Sequence, residues 1–363
     1  MFEGFLIFAA VVLRVDSSTK GRQHQSTQRD SKRPSSLSLT AGFEIAKIEN
    51  PVSRPIVLVH VPKSGGESFQ EHYTSKGKSA LGTALQMCTS SPESHWPRLQ
   101  SGNPSYHLWQ KLKARDCNFV PAHSTAQTLI ADVVNVTGDL PFTITILRHP
   151  VLRAESTLAY GCKHTCAPWV PIPIRKHGLA ALVDESVCDR NSTACWIPLK
   201  TEEGPLFGNL LTYYFANVQP LRAGYKVGKD LTGDLGALYS AEQRLHTLDV
   251  VMLLEEMHAS ACLLFWVGST AHGLDQQVFR RAFDVECRIN ATINKERVSN
   301  ASPHRTQLSE KFLRAYESVI SNDLDLYEKG RRLFCEALGA MAKATGVAFP
   351  EAELLTCRDL RNN

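Results

Sequence analysis

The sequence predicts an α/β fold, a mostly parallel sheet flanked by helices, on three observations. From about Arg54 onward, strand-like and helix-like segments alternate along the chain. The strand-like runs are continuous apolar stretches rather than alternating ones, which is the pattern of strands buried on both faces. Finally, 43% hydrophobic residues in a chain of 363 are ample for the core of one large domain.

The first element is an apolar run, Phe5 to Leu13, too short for a relaxed membrane span and close to the hydrophobic region of a signal peptide. Glu3 stands where a basic residue is usual, and no small-x-small cleavage motif follows. Residues 1–16 therefore read as either a cleavable signal peptide or a short signal-anchor. Residues 17–53 form the next region. Its stretch Ser17 to Thr40, rich in Ser, Thr, Gln, Lys and Arg and almost without large apolar side chains, reads as a flexible stem. A single domain is expected over residues 54–363.

That domain opens with "PIVLVHVPKSGGESF", residues 55 to 69. Pro55 to Val61 reads as a buried strand that stops at Pro62. Gly65 and Gly66 free the backbone to curl with its N–H groups inward, and the polar residues that follow open a helix toward Gln70 and Tyr73. Such a P-loop-like strand-loop-helix unit is suited to an anion: successive amides and a helix start supply partial positive charge, and Lys63 adds a full one. The G-x-x-x-x-G-K-[ST] order of nucleotide kinases is absent, since the lysine here precedes the glycine pair.

Further strands are expected at "CNFVPAH" (117 to 123), which presents His123 at its end, at "PFTITIL" (141 to 147), which ends at Arg148, and at "LDVVMLL" (248 to 254). Ligands of doubly wound sheets bind outside the carboxyl ends of the strands, so Lys63, His123 and Arg148 are expected to converge. In "TILRHPVLRAESTLAY" a helix starts at Pro150 or Val151, and Ser156 lies more than one turn in, within reach of a ligand shared with Arg148. The planar fork of arginine suits phosphate oxygens. Two such sites on neighbouring strands suggest a ligand with two separated anionic groups. Between Gly161 and Gly208, five prolines and four cysteines read as a disulfide-pinned insertion beside the cleft. The last part is helical, with Ser309 and Ser321 as N-caps and Leu324, Tyr327, Arg331, Phe334 and Leu338 as a core stripe.

A formal net charge of +4 is too nearly balanced for bulk nucleic-acid binding, yet it allows a local basic cleft. The ten cysteines contain no zinc-type CxxC pair, and the close spacings Cys162/Cys166 and Cys188/Cys195 fit disulfide loops better than a metal site. N-glycosylation sequons occur at Asn135, Asn191, Asn290 and Asn300. Together with the N-terminal apolar run, these features point to the secretory pathway.

"HVPKSGGESF" resembles the 5′-phosphosulfate loop, and "TILRHPVLRAES" the 3′-phosphate segment, of Golgi carbohydrate sulfotransferases, especially the heparan 2-O- and 6-O-sulfotransferases and their relatives. The similarity extends through "NLLTYYFAN" (209 to 217), "ALYSAEQRLHTLDVVMLLEEM" (237 to 257) and "NDLDLYEKGRRLF", so that it covers about Arg54 to Phe334. The resemblance implies that the donor is 3′-phosphoadenosine 5′-phosphosulfate (PAPS), with no metal. Lys63, Ser64, Gly65, Gly66, Glu67 and Ser68 would then wrap the 5′-phosphosulfate, while Arg148 and Ser156 hold the 3′-phosphate. His123 would be the catalytic base, Lys63 a catalytic cation, and the Golgi lumen or membrane the site of action. The chain departs from the family pattern at Glu67, where a small hydroxyl residue is usual, and at His149, where an acidic residue is common. The acceptor implied is a hydroxyl of a glycan or proteoglycan, and the membrane is met only through a possible N-terminal anchor. Two other readings use the same loop: a lumenal nucleotide- or glycan-binding protein without turnover, which the carboxylate of Glu67 keeps open, and a sulfotransferase for protein tyrosine.

Overall fold

The computed structural model describes residues 54–69, 117–122, 125–161, 209–216, 231, 233–289, 310–347 and 355–358, with single residues at 85, 87, 88, 112 and 349. All belong to one compact unit, Asn50–Asn363. The expected signal or anchor, the stem, His123, the insertion up to Gly208, and the sequons at Asn191, Asn290 and Asn300 lie outside the described residues.

Four strands form one sheet: β1 (Ile56–Val59), β2 (Phe119–Ala122), β3 (Phe142–Leu147) and β4 (Val250–Leu253). The order is β2-β1-β3-β4 and every pairing is parallel. Every residue of the four strands is buried. This explains the continuous apolar runs, because helices cover both faces of a parallel sheet and leave no side for polar residues. The α/β class expected from the alternation is thus the observed one. Ile56 pairs with Phe119 on one side and Phe142 on the other, making β1 an interior strand.

The helices described are α1 (Gly66–Phe69), α2 (Ala126–Thr137), α3 (Pro150–Gly161), α4 (Leu210–Phe215) and α5 (Leu235–His246). They continue with α6 (Met257–Gly268), α7 (Gln276–Phe283), α8 (Glu310–Val319), α9 (Ser321–Thr345) and α10 (Leu355–Arg358). Several of their ends follow capping chemistry. Asp234 and Asp275 accept the N–H of Ala237 and Val278, and left-handed Gly138 (φ 76°) and Gly346 (φ 72°) close α2 and α9. Helix α6, almost wholly buried, packs on β4, and α9 crosses the same strand. At Gly330 a Cβ would meet the Leu147 side chain, so only glycine lets α9 lie this close to the sheet.

Two expectations for α9 are corrected. Ser321 is its first helical residue rather than its N-cap; Ile320 takes the cap position with no side-chain bond. The reason is that α8 and α9 almost abut, with Ile320 N–H already bonded to the Tyr316 carbonyl. The buried stripe runs through Asp323, Leu326, Tyr327, Gly330, Phe334, Leu338 and Met341, whereas Leu324 is only half-buried and Arg331 leaves it to form a two-pronged pair with Glu328 at 2.7 and 2.8 Å.

The N-terminal end of the sheet is closed by Arg54 and Asp249. The Asp249 carboxylate accepts from Thr143 N at 2.7 Å and Thr143 Oγ1 at 2.9 Å, and Arg54 reaches the same carboxylate at 3.3 Å. Among the described residues, disulfides join Cys88–Cys117, Cys262–Cys287 and Cys335–Cys357. Among the described residues no cysteine is free, and no helix is long and apolar enough to cross a membrane.

Asn135 is exposed near the end of α2. In protein made in a eukaryotic host, Asn135→Gln is expected to remove one glycan and increase gel mobility by one step. An unshifted band would take this sequon out of use.

Candidate anion-binding site

Chain order reverses around β1: β2 lies on one side and β3 on the other, so the crevice of a doubly wound sheet falls at the carboxyl ends of β1 and β3. Residues 60 to 66 leave β1 at that point. The His60 N–H bonds to the Ala122 carbonyl at 3.0 Å, extending the β1–β2 ladder by one residue. The backbone then curls tightly. Ser64 N–H turns back to the Val61 carbonyl at 3.2 Å, and Phe69 N–H bonds to Gly65 O at 2.9 Å to open α1.

Lys63 (φ 63°) and Gly65 (φ 87°) are both left-handed, with Ser64 between them. Alternation of hand along successive residues is the backbone pattern of anion nests; here the Ser64 N–H is taken by the Val61 carbonyl. Glycine takes such a φ without cost; lysine does not, and a non-glycine residue held there is a strained feature typical of binding loops. The two glycines also serve packing. A Cβ on Gly65 would strike Leu254, just past β4, and one on Gly66 would strike the ring of His60, which is buried beneath the loop.

Ser64 is fully buried at 0% exposure, and its Oγ has no hydrogen-bond partner among the described residues. An unsatisfied buried hydroxyl costs about 1–3 kcal/mol unless a ligand or water completes it.

Arg148 follows β3 immediately, and its Nη1 donates to the Lys63 carbonyl at 3.2 Å. The Arg148 side chain is thereby brought to the Lys63 backbone across adjacent strands. Pro150 starts α3, as its spacing predicts, with Arg153 N–H bonding His149 O at 2.9 Å. Ser156 lies half-buried on that helix. The side chains of Glu67 and Ser68, like all of His123, lie outside the described residues; β2 ends at Ala122, one residue before it.

Two residues near the site, Glu255 and Asp323, escaped the sequence reading. Glu255, just past β4, accepts the His149 N–H at 2.8 Å, and its negative charge acts on the nearby Tyr327 phenol. The His149 ring stands edge-on to Tyr327 at 5.2 Å. Burial pushes the His149 imidazole below its ordinary value, while Glu255 and Glu317 draw it back up. Burial, reinforced by Glu255, pushes the Tyr327 phenol up. The strand-end rule that singled out Lys63 and Arg148 applies equally to Glu255.

Behind α3 lies a buried ion pair, Arg153 to Asp323 at 3.7 Å, with both side chains at 0% exposure. The Asp323 carboxylate also accepts Leu211 N–H at 2.9 Å, Thr212 N–H at 2.8 Å and Thr212 Oγ1 at 3.0 Å, so one side chain ties α3 and α4 to α9. Burial pushes this carboxyl up, against the pull of Arg153 and of the donors on Thr212 and Leu211. No cluster of His, Cys, Asp and Glu suited to a metal occurs among the described residues.

No known family model matches the chain, and no curated protein matches it.

Proposed function

We propose that the chain is a PAPS-dependent O-sulfotransferase of the secretory pathway, acting on a hydroxyl of a glycan or proteoglycan. The observation that carries the reading is the junction of Lys63 and Arg148 at the β1/β3 crevice, over a left-handed loop that holds a buried, unsatisfied Ser64 hydroxyl. Two cations on adjacent strand ends suit a ligand with two anionic groups, and the described disulfides fit an oxidising compartment.

In this reading the loop amides, Ser64 and Lys63 hold the 5′-phosphosulfate, and Arg148 with Ser156 holds the 3′-phosphate. Sulfuryl transfer, like phosphoryl transfer, needs an attacking oxygen in line with the leaving oxygen and charge stabilisation on the latter. The acceptor oxygen forms a bond to sulfur as the bond from sulfur to the 5′-phosphate oxygen breaks. His123 takes the acceptor proton, and Lys63 stabilises the charge that develops on the leaving phosphate. Nothing in this scheme requires a metal.

Lys63→Ala and Arg148→Ala separate the two roles. Lys63 acts where charge grows, so its loss is expected to lower turnover by about 10²-fold with a smaller change in nucleotide affinity. Arg148 grips a group that the reaction leaves unchanged, so its loss is expected to weaken binding of 3′-phosphoadenosine 5′-phosphate in calorimetry. If neither variant changed affinity or turnover, the two-anion site would be wrong.

The direct test is incubation of purified protein with sulfur-labelled donor and a panel of glycans and tyrosine peptides, followed by location of the label. Label on a sugar hydroxyl is expected. Tight nucleotide binding without transfer to any acceptor would favour the binding-protein reading that Glu67 supports, and label on tyrosine would change the acceptor class.

A further inference from the structure

We propose that Glu255 is a positioning residue that sets the orientation of Arg148, and through it discrimination for a ligand bearing the 3′-phosphate; the inference rests on the sulfotransferase reading. Helix α3 begins with a deficit. His149 occupies the position before Pro150, and the residue three places on, where a glutamate would return a bond to the cap N–H in a capping box, is Leu152. Leu152 has no acceptor to offer. Glu255 arrives instead from the neighbouring strand end, and its Oε1 takes the His149 N–H at 2.8 Å. A carboxylate at the start of a helix is also favoured by the helix dipole.

The bond acts directly on Arg148. The His149 N–H lies in the same rigid peptide plane as the Arg148 carbonyl, so fixing one fixes the direction in which the backbone leaves Arg148. The Arg148 side chain already donates to the Lys63 carbonyl, and a rotation of that plane would pull the guanidinium away from the loop. Glu255 lies beside the Tyr327 phenol, on which its charge acts, and the His149 ring rests edge-on against Tyr327. Its neighbour Glu256 accepts Thr356 Oγ1 at 2.7 Å, beside the Cys335–Cys357 disulfide. Leu254, one residue earlier, packs on Gly65. The exit of β4 therefore supports both halves of the candidate site, Leu254 under the loop and Glu255 behind Arg148.

Glu255 is exposed, so its bond is of moderate strength and the expected effect is several-fold. The experiment is calorimetric titration of the full-length protein with 3′-phosphoadenosine 5′-phosphate and with adenosine 5′-phosphate; the ratio of the two affinities reports the grip on the 3′-phosphate. Glu255→Ala is expected to narrow this ratio by about three- to tenfold while leaving adenosine 5′-phosphate affinity in place. Glu255→Asp, shorter by one methylene, keeps the charge but withdraws it from the His149 N–H, and is expected to narrow the ratio similarly. Glu255→Gln keeps an acceptor at the same reach and is expected to retain most of the ratio. An unchanged ratio in both the alanine and aspartate variants overturns the proposal, as does an equal loss of both affinities with a lowered melting temperature, which would mark a purely structural residue. A wild-type protein that does not distinguish the two nucleotides would instead remove the 3′-phosphate site, and the role of Glu255 with it.

Discussion

Asp323→Ala is expected to lower the free energy of unfolding by about 3–5 kcal/mol, the range for removing one partner of a buried ion pair. The substitution would leave the Arg153 guanidinium in an interior position at 0% exposure without its carboxylate. It would also strip the acceptor from the N–H groups of Leu211 and Thr212 and from the Thr212 hydroxyl. Unsatisfied buried donors each add a desolvation cost, so the loss should exceed that of a surface pair, which is within about 1 kcal/mol. Denaturant unfolding should show a lower midpoint at an unchanged slope. Replacing both partners with apolar residues, Arg153→Met with Asp323→Leu, should cost less than the single change, because no charge is then stranded. A single-variant loss below about 1 kcal/mol would contradict the assignment of this pair as buried and unscreened.

His123→Ala is expected to reduce turnover by about 10²–10⁴-fold, the contribution of positioned proton transfer, with nucleotide affinity nearly unchanged. A sugar hydroxyl is a poor nucleophile at neutral pH, and a neutral imidazole is the side chain best matched to accept its proton. His123 directly follows the last residue of β2, the strand paired with β1, whose end carries Lys63. His123→Asn should fail as badly, since asparagine can hydrogen-bond the hydroxyl but cannot take its proton. Recovery by asparagine would make the residue an orienting group only. Full activity in both variants would send the search to His107 or His95, the nearest histidines upstream in the sequence.

The parts of the fold and site legible in sequence share a physical reason. Parallel strands buried on both faces write themselves as unbroken apolar runs, so "IVLV", "FTITIL" and "VVML" were each readable from their own residues. Lys63 and Arg148 were readable because a cation directly after such a run sits at a strand's carboxyl end, where crevices form. Glu255 occupies an equivalent place, yet it reads like the first acid of a helix, and its partner His149 lies 106 residues away. Asp323 was hidden by the opposite effect. In "SNDLDLYEKG" it looks like one solvated acid among several, and only the packing of α3 and α4 against α9 makes it interior. Ser321 misled because cap preference is local, whereas the near-continuous passage from α8 to α9 is a tertiary outcome.

The interior position of β1 bears on how the protein is made. Its first ladder partner, Phe119, and its second, Phe142, are synthesised long after Ile56 leaves the ribosome, and β4, which extends the sheet beyond β3, comes later still. Pairings this distant in sequence must close large loops before they return any stabilisation, so the sheet nucleates slowly. During that wait a four-residue apolar strand is unpaired, and Pro55, Pro62 and Lys63 on its flanks act as guards against association with other chains. The curl that carries Lys63, Ser64 and Gly65 hangs from the end of this same strand, and its contact with Arg148 comes from β3. The Arg148–Lys63 contact therefore needs β3, and a chain truncated before β3 would carry the loop sequence without that contact.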